Sequence, residues 1–246
     1  MKRIIPSVLI NNNNVVKSVS FQNHEYIGDP INIVRIFSEK EIDEILILDI
    51  NLTNTSTKLD YDFLEKVVSE CFSPVTYGGK VTCLQDFQTL YRLGIEKVSV
   101  NTLLFENKAI VREAVEKFGA QAVVGSIDYI ESVNKNLFAV NHKSKIKKPL
   151  KEHFDEVVEL GVGEIILTNI AREGTKTGLQ AKLLESIVAT TKIPILVSGG
   201  CSSISNIRNV LAEQFVSGVV VGELFIRVGK HSAVLVNYPQ RSDISC

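Results

Sequence analysis

Short runs of β-branched and other apolar residues alternate along this chain with segments whose apolar positions recur at helical spacing. The runs are residues 3–10 (RIIPSVLI), 44–50 (EILILDI), 73–79 (SPVTYGG), 96–101 (EKVSVN), 120–128 (AQAVVGSID), 164–170 (EIILTNI), 193–200 (IPILVSGG) and 217–223 (SGVVVGE). Nearly continuous apolar character is expected of parallel strands covered by helices. Between them, residues 29–40, 61–72, 107–119 and 150–161 carry apolar positions with the period of an amphipathic helix. Eight strand–helix units in a chain of this length predict an α/β fold, a single closed (β/α)8 TIM barrel over residues 1–246, with an open doubly wound sheet as the alternative. No Pro/Gly/Ser-rich linker divides the chain. The excursion 129–148 after the fifth strand, containing NLFAVNHKSKIKK, is expected to hold a small hairpin.

A net charge of −1 with acids and bases interspersed leaves no electrostatic footprint for nucleic acid or an anionic membrane, so recognition has to be local. The apolar runs are far shorter than a bilayer span, which predicts a cytoplasmic protein. Cys71, Cys83, Cys201 and Cys246 show no CxxC spacing, and His24, His142, His153 and His231 are scattered. Neither a metal site nor a disulfide framework is indicated, and no cofactor is implied.

The two halves of the chain repeat. Glu44 and Glu164 lie 120 positions apart, as do Pro74 and Pro194, which predicts a two-fold internal half-barrel repeat. The same comparison sets Ser7-Val8-Leu9 against Ser126-Ile127-Asp128, so Leu9 stands where the second half has Asp128. At the C-terminal strand ends, Gly78-Gly79 matches Ser198-Gly199-Gly200, and Asn101-Thr102 matches Gly222-Glu223. Glycine turns of this kind bring backbone N–H groups close to an anion, so two facing phosphate sites would hold a substrate with a phosphate at each end. At the strand beginnings stand Arg3, Glu44, Lys97 and Glu164. Two bases and two acids around the barrel axis would neutralise one another, and taken alone they read as a plug in the barrel floor.

Motifs in order along residues 2–225, among them KRII, GDP, IDEILILDI, EKVSVNT, EKFGAQAVVGSID, GEIILTNI followed by REGTKTG, and ILVSGG, resemble the cyclase subunit of imidazole glycerol phosphate synthase. The resemblance implies a heterodimer with a glutaminase docked on the bottom of the barrel. Ammonia would pass a charged gate, matched here by Arg3, Glu44, Lys97 and Glu164, to a bis-phosphorylated ribulosyl carboxamide at the top. It also implies that Pro74, Gln121 and, conservatively, Glu96 lie near the docking face. Lys17, Gly79, Asn101, Thr102, Gly174, Gly200 and Gly222 correspond to substrate-binding positions, and Asp128 to one of two catalytic aspartates. Asp128 capping the following helix is the structural alternative.

Three departures bear on the chemistry. Leu9 replaces the other catalytic aspartate and cannot carry a proton, and losing one partner in acid/base catalysis commonly costs ~10²–10⁴-fold in rate. Lys80 stands for the third glycine of a Gly-Gly-Gly turn, Glu223 for a serine, and Glu173 for an aspartate before Gly174; a carboxylate beside a phosphate repels it, whereas Lys80 would attract an anion. The NNNN loop at 11–14 lacks the charged and glycine residues usual there. An intact gate above which the cyclase chemistry is altered is similar to a second branch of the family, associated with a glutaminase and a sugar amidotransferase in surface-polysaccharide synthesis. The short ending GKHSAVLVNYP (229–239) resembles that branch too. The alternatives are an ordinary histidine-pathway cyclase and a non-catalytic scaffold that activates the glutaminase.

Overall fold

A computed structural model describes residues 2–50, 58–141, 143–228, 233–240 and 243. His142, His231, Cys246 and part of the ending 229–239 lie outside the described residues. The strands are β1 (Arg3–Asn11), β2 (Asn14–Val19), β3 (Gln22–Gly28), β4 (Ile45–Asp49), β5 (Val75–Gly78), β6 (Lys97–Val100) and β7 (Val123–Glu131). They continue with β8 (Leu137–Val140), β9 (Lys147–Pro149), β10 (Glu164–Asn169), β11 (Ile195–Ser198), β12 (Val216–Val221), β13 (Arg227–Val228) and β14 (Ala233–Val234). The helices are α1 (Pro30–Ser38), α2 (Tyr61–Val68), α3 (Leu84–Arg92), α4 (Thr102–Glu106), α5 (Lys108–Phe118), α6 (Leu150–Glu159), α7 (Glu185–Val188), α8 (Ile204–Leu211) and α9 (Glu223–Ile226).

Eight parallel strands run in the order β1-β4-β5-β6-β7-β10-β11-β12, and β12 pairs back onto β1. The sheet is therefore a closed (β/α)8 barrel, and all eight sequence-predicted runs are its strands. Closure leaves no open edge in the eight-strand ring. Helix starts carry local signals: Asp29 accepts from Asn32 N at 2.9 Å with Pro30 at the first turn, and Asp60 accepts from Phe63 N at 3.0 Å.

Two cores result from the strand period of two. Outward strand residues such as Ile47, Tyr77, Val98 and Ile127 pack with helix residues such as Phe37, Phe87 and Phe154, while Ile5, Leu46, Val124, Ile166, Leu196 and Val220 form a separate apolar cluster inside the barrel. The Asn-rich stretch differs from the expected loop. Asn12 (φ 49°) and Asn13 (φ 58°) form a two-residue left-handed turn that folds β2 back antiparallel onto β1. Ser20 (φ 52°) and Phe21 (φ 61°) repeat the device between β2 and β3. Asparagine tolerates this backbone region better than other non-glycine residues, and such turns match the twist of a hairpin. The predicted hairpin in 129–148 is present as β8 and β9, extending β7 antiparallel. Near the chain's end Tyr238 packs edge-on against Phe225 and donates to Ile4 O at 3.0 Å, tying the short ending to the first barrel strand.

Candidate functional site

The C-terminal strand ends surround a cavity of about 310 Å³. Alternation along each strand decides its wall: Ser7 and Leu9 from β1, Ser126 and Asp128 from β7, Thr168 from β10, Ser198 from β11. Of the predicted residues, Leu9, Gly79, Lys80, Asn101, Thr102, Asp128, Glu173, Gly174, Gly200, Gly222 and Glu223 all line this one cavity.

Leu9 is 8 % exposed and lies in register between Val16 of β2 and Leu48 of β4. This corner of the pocket is apolar. Asp128 faces into the same space, with Asn101 Nδ2 donating to its Oδ2 at 3.2 Å and to Ser126 O at 3.0 Å. Burial pushes the Asp128 carboxyl up to about 7, the Glu173 carboxylate adds to the shift, and a hydrogen bond from Thr168 opposes it. Its pKa therefore lies where a group can both give and take a proton at neutral pH.

Glu173 accepts from Ser18 Oγ at 2.9 Å, and its backbone carbonyl accepts from Ser20 N at 2.9 Å, which locks the β2–β3 hairpin over the site. Burial raises the Glu173 carboxyl above the usual range; Ser18 and Lys17 pull it back, and Glu223 pushes it up. Lys17 does not line the cavity but is buried beside it, 3 % exposed, with Nζ 3.5 Å from Ser7 O. A Cβ on Gly222 would stand 2.7 Å from that Nζ and 3.0 Å from Ser7 Oγ, so this strand end admits no side chain without displacing the lysine. Glu223 lies 3.6 Å from Lys176 Nζ.

Across the mouth, Gly79 has φ +122° and a Cβ there would meet Asp49 O at 2.2 Å, so the turn requires glycine. Lys80 follows with φ 56° and its ammonium pairs with Asp49 at 3.0 Å. The charge expected to attract an anion already has a carboxylate partner.

At the barrel's other end Arg3, Glu44, Lys97 and Glu164 form a closed ring. Glu44 accepts from Arg3 at 2.6 Å, from Lys97 at 2.7 Å and from Thr76 Oγ1 at 2.6 Å, while Glu164 binds Lys97 at 3.2 Å and pairs with Arg3. Both glutamates are nearly buried. Desolvating two carboxylates is tolerable because each meets two cations. Pro74, Glu96 and Gln121 sit on this lower rim, Glu96 and Gln121 exposed. Glu96 N donates to Val75 O and Ile45 N to Pro74 O, which fixes the strand starts.

Ser18, Phe21 and His24 also line the cavity, as do Asp49 and Lys176, and sequence reasoning missed all five. The first three arrive on the β2–β3 hairpin, and the paired asparagines at 12 and 13 were the signal for it. Cys201 lines the cavity as well, but burial pushes its thiol up to about 12, so it stays protonated. Among the described residues no cluster of His, Cys, Asp or Glu has metal-binding geometry, and no helix is long and apolar enough to cross a membrane.

Residues 3–229 match the family described as "Histidine biosynthesis protein". The chain is 38% identical over 240 residues, 97% of its length and 96% of the relative's, to the "Putative imidazole glycerol phosphate synthase subunit hisF2" of Pseudomonas aeruginosa. It is 39% identical over 244 residues, 98% of its length and 96% of the relative's, to a protein similarly named from Leptospira borgpetersenii. It is 34% identical over 226 residues, 91% of its length and 90% of the relative's, to "Imidazole glycerol phosphate synthase subunit HisF" of Bacillus cereus. With the barrel closed and the match running through nearly all of it, this chain belongs to the histidine biosynthesis protein family, as a HisF-like barrel.

Proposed function

We propose that the chain is a cytoplasmic, ammonia-channelling synthase subunit, one barrel domain over residues 1–246. It pairs with a HisH-like glutaminase at the Pro74/Glu96/Gln121 rim and delivers ammonia for amidation of a sugar in surface-polysaccharide synthesis, with a sugar amidotransferase as the further partner. The observation that carries the reading is the closed Arg3/Glu44/Lys97/Glu164 ring below an apolar barrel interior, with Leu9 in place of a carboxylate at the mouth. Ammonia in bulk water at neutral pH is mostly ammonium and has no lone pair to attack with. A neutral molecule that slips past the ring crosses the layer of Ile5, Leu46, Val124, Ile166, Leu196 and Val220 at little cost, whereas ammonium would have to shed its hydration there. Lys97, on a flexible four-carbon stem, is the member best suited to swing aside.

At the mouth, Asp128 holds or releases the proton of the attacking nitrogen, and Asn101 orients it. Lys17, Gly79, Lys80, Thr102, Glu173, Gly174, Gly200, Gly222 and Glu223 shape the acceptor site. A half-barrel repeat is part of this reading, which takes the mouth as two facing ends. The word "subunit" in the relatives' names favours a partnered protein. Among the described residues Cys71, Cys83 and Cys201 are free, which fits a reducing compartment.

The second reading, an imidazole glycerol phosphate synthase cyclase, is favoured by the retained Asp128 and by the name of the Bacillus relative. Turnover of the ribulosyl carboxamide substrate with saturating ammonium at alkaline pH separates the two, since it bypasses any glutaminase. The first reading expects no ring-closed product from the wild-type chain, and a gain with Leu9→Asp. Product at an ordinary enzymatic rate with Leu9 in place would establish the second.

A further inference from the structure

The wall of the mouth cavity is divided between two kinds of chemistry. On β1 and β4, Leu9 and Leu48 are register partners, and both line the cavity together with Ile50, just beyond the end of β4. Strand β5 leaves room for this corner. A Cβ on Gly78 would stand 2.8 Å from Leu48 Cδ2, so the leucine leans over backbone that carries no side chain of its own. The charged groups beside the corner are already answered: Asp49, between Leu48 and Ile50, pairs with Lys80 at 3.0 Å, and Lys17 Nζ reaches Ser7 O at 3.5 Å.

The opposite wall is polar. β7 is the fourth strand from β1 in either direction round the ring, so Asp128, with Asn101 bonded to it, faces Leu9 across the opening. Ser126, Thr168 and Ser198 continue that wall along β7, β10 and β11. A ligand that fills the cavity therefore meets hydrogen-bonding groups on one side and hydrocarbon on the other. A hydroxyl or a charged group turned toward Leu9 and Leu48 would lose its hydration and gain no partner from those side chains, whereas a methyl group leaves water there favourably.

We propose that Leu9 and Leu48 select the acceptor: they seat a methyl-bearing group, an acyl or deoxy methyl, while the acceptor's polar reacting end faces Asp128 and Asn101. This rests on the reading of the mouth as the ammonia-acceptor site and adds what that acceptor must carry. Leu9 is then a specificity residue as well as a lost carboxylate.

The test is an NMR titration of the full-length chain, with isotope-labelled leucine methyl groups, against N-formyl-D-glucosamine and N-acetyl-D-glucosamine. These uncharged sugars differ by a single carbon, and Leu9→Val and Leu48→Val assign the two leucine signals. The acetyl sugar should bind about fourfold more tightly than the formyl sugar, the value of one carbon moved from water onto an apolar wall. The Leu9 and Leu48 methyl signals should shift with it. In Leu9→Asp the acetyl gain should fall below about twofold. A wild-type gain below about twofold overturns the proposal, as do Leu9 and Leu48 signals that stay unmoved, or no binding of either sugar at its solubility limit. The wild-type titrations decide the matter even where a variant misfolds. Turnover of the ribulosyl carboxamide, and not these probes, separates the two functional readings, so equal binding of the two sugars removes the specificity assignment and leaves the acceptor reading standing.

Discussion

Replacing Asp128 by Asn should stabilise the protein at alkaline pH while removing its proton-transfer capacity. In the folded chain the carboxyl is held at about 7, against about 3.8 when solvated. Between those values the native state binds more protons than the unfolded state, so stability falls as pH rises through the window. The stabilising contribution is fully present below the solvated value and lost as pH climbs past about 7. At roughly 1.4 kcal/mol per unit the full excursion is about 4 kcal/mol, and because the side chain opens onto a cavity that water can enter, about half of that is expected, roughly 2 kcal/mol. Asparagine keeps the shape, and its amide oxygen can still accept from Asn101. Urea titrations of wild type and Asp128→Asn from pH 5 to pH 8 measure the effect as a stability difference that grows with pH in the variant's favour. Parallel pH profiles would refute the reasoning and would mean that Asp128 is solvated as an ordinary carboxylate.

Lys97→Met leaves Glu44 and Glu164 sharing Arg3 alone and should cost about 3 kcal/mol, the lower part of the range for breaking a buried pair, read from urea midpoints. A cost below about 1 kcal/mol would mean the ring is solvated like surface ion pairs. Given a competent glutaminase, the same variant should release more ammonia to solvent per glutamine hydrolysed, measured by a coupled ammonia assay. Gly79→Ala should destabilise by more than about 2 kcal/mol, because φ is +122° and the new methyl meets Asp49 O at 2.2 Å; thermal melts against Gly94→Ala, whose site has space, isolate the clash. His153 is buried against Phe105, and burial holds its imidazole down to about 4. Its neutral form therefore stabilises the fold above about 6.5, and the contribution is lost as pH falls toward 4, so the slope of stability between pH 6.5 and 4 should flatten in His153→Gln.

The alternation of strand and helix patterns sufficed for the barrel because each strand, buried on both faces, needs an uninterrupted apolar run, and each covering helix needs one apolar stripe. Arg3, Glu44, Lys97 and Glu164 were legible as a group because they occupy the same place at four strand starts, and the closed ring of hydrogen bonds among them needed only the barrel to bring those starts together. The strands β2 and β3 were not read from the sequence, apart from the turn signal that Asn12 and Asn13 offered. β3 carries exposed Asn23, His24 and Glu25, which read as loop, and it is the pairing of β2 with β1 and β3 and the carbonyl of Glu173 that holds the hairpin.

Charge at the mouth was likewise a tertiary matter. The residues at 80, 173 and 223 could be read off as a lysine and two glutamates, and Leu9 as a missing carboxylate. That Lys80 is spent on Asp49, that Lys176 answers Glu223, and that Asp128 is lifted to about 7 beside Glu173 all depend on side chains from strand ends far apart in the chain. Periodicity is a local property and is written in the sequence; a side chain's electrostatic partners are set by which strand ends the barrel closure makes neighbours, and only the folded chain decides that.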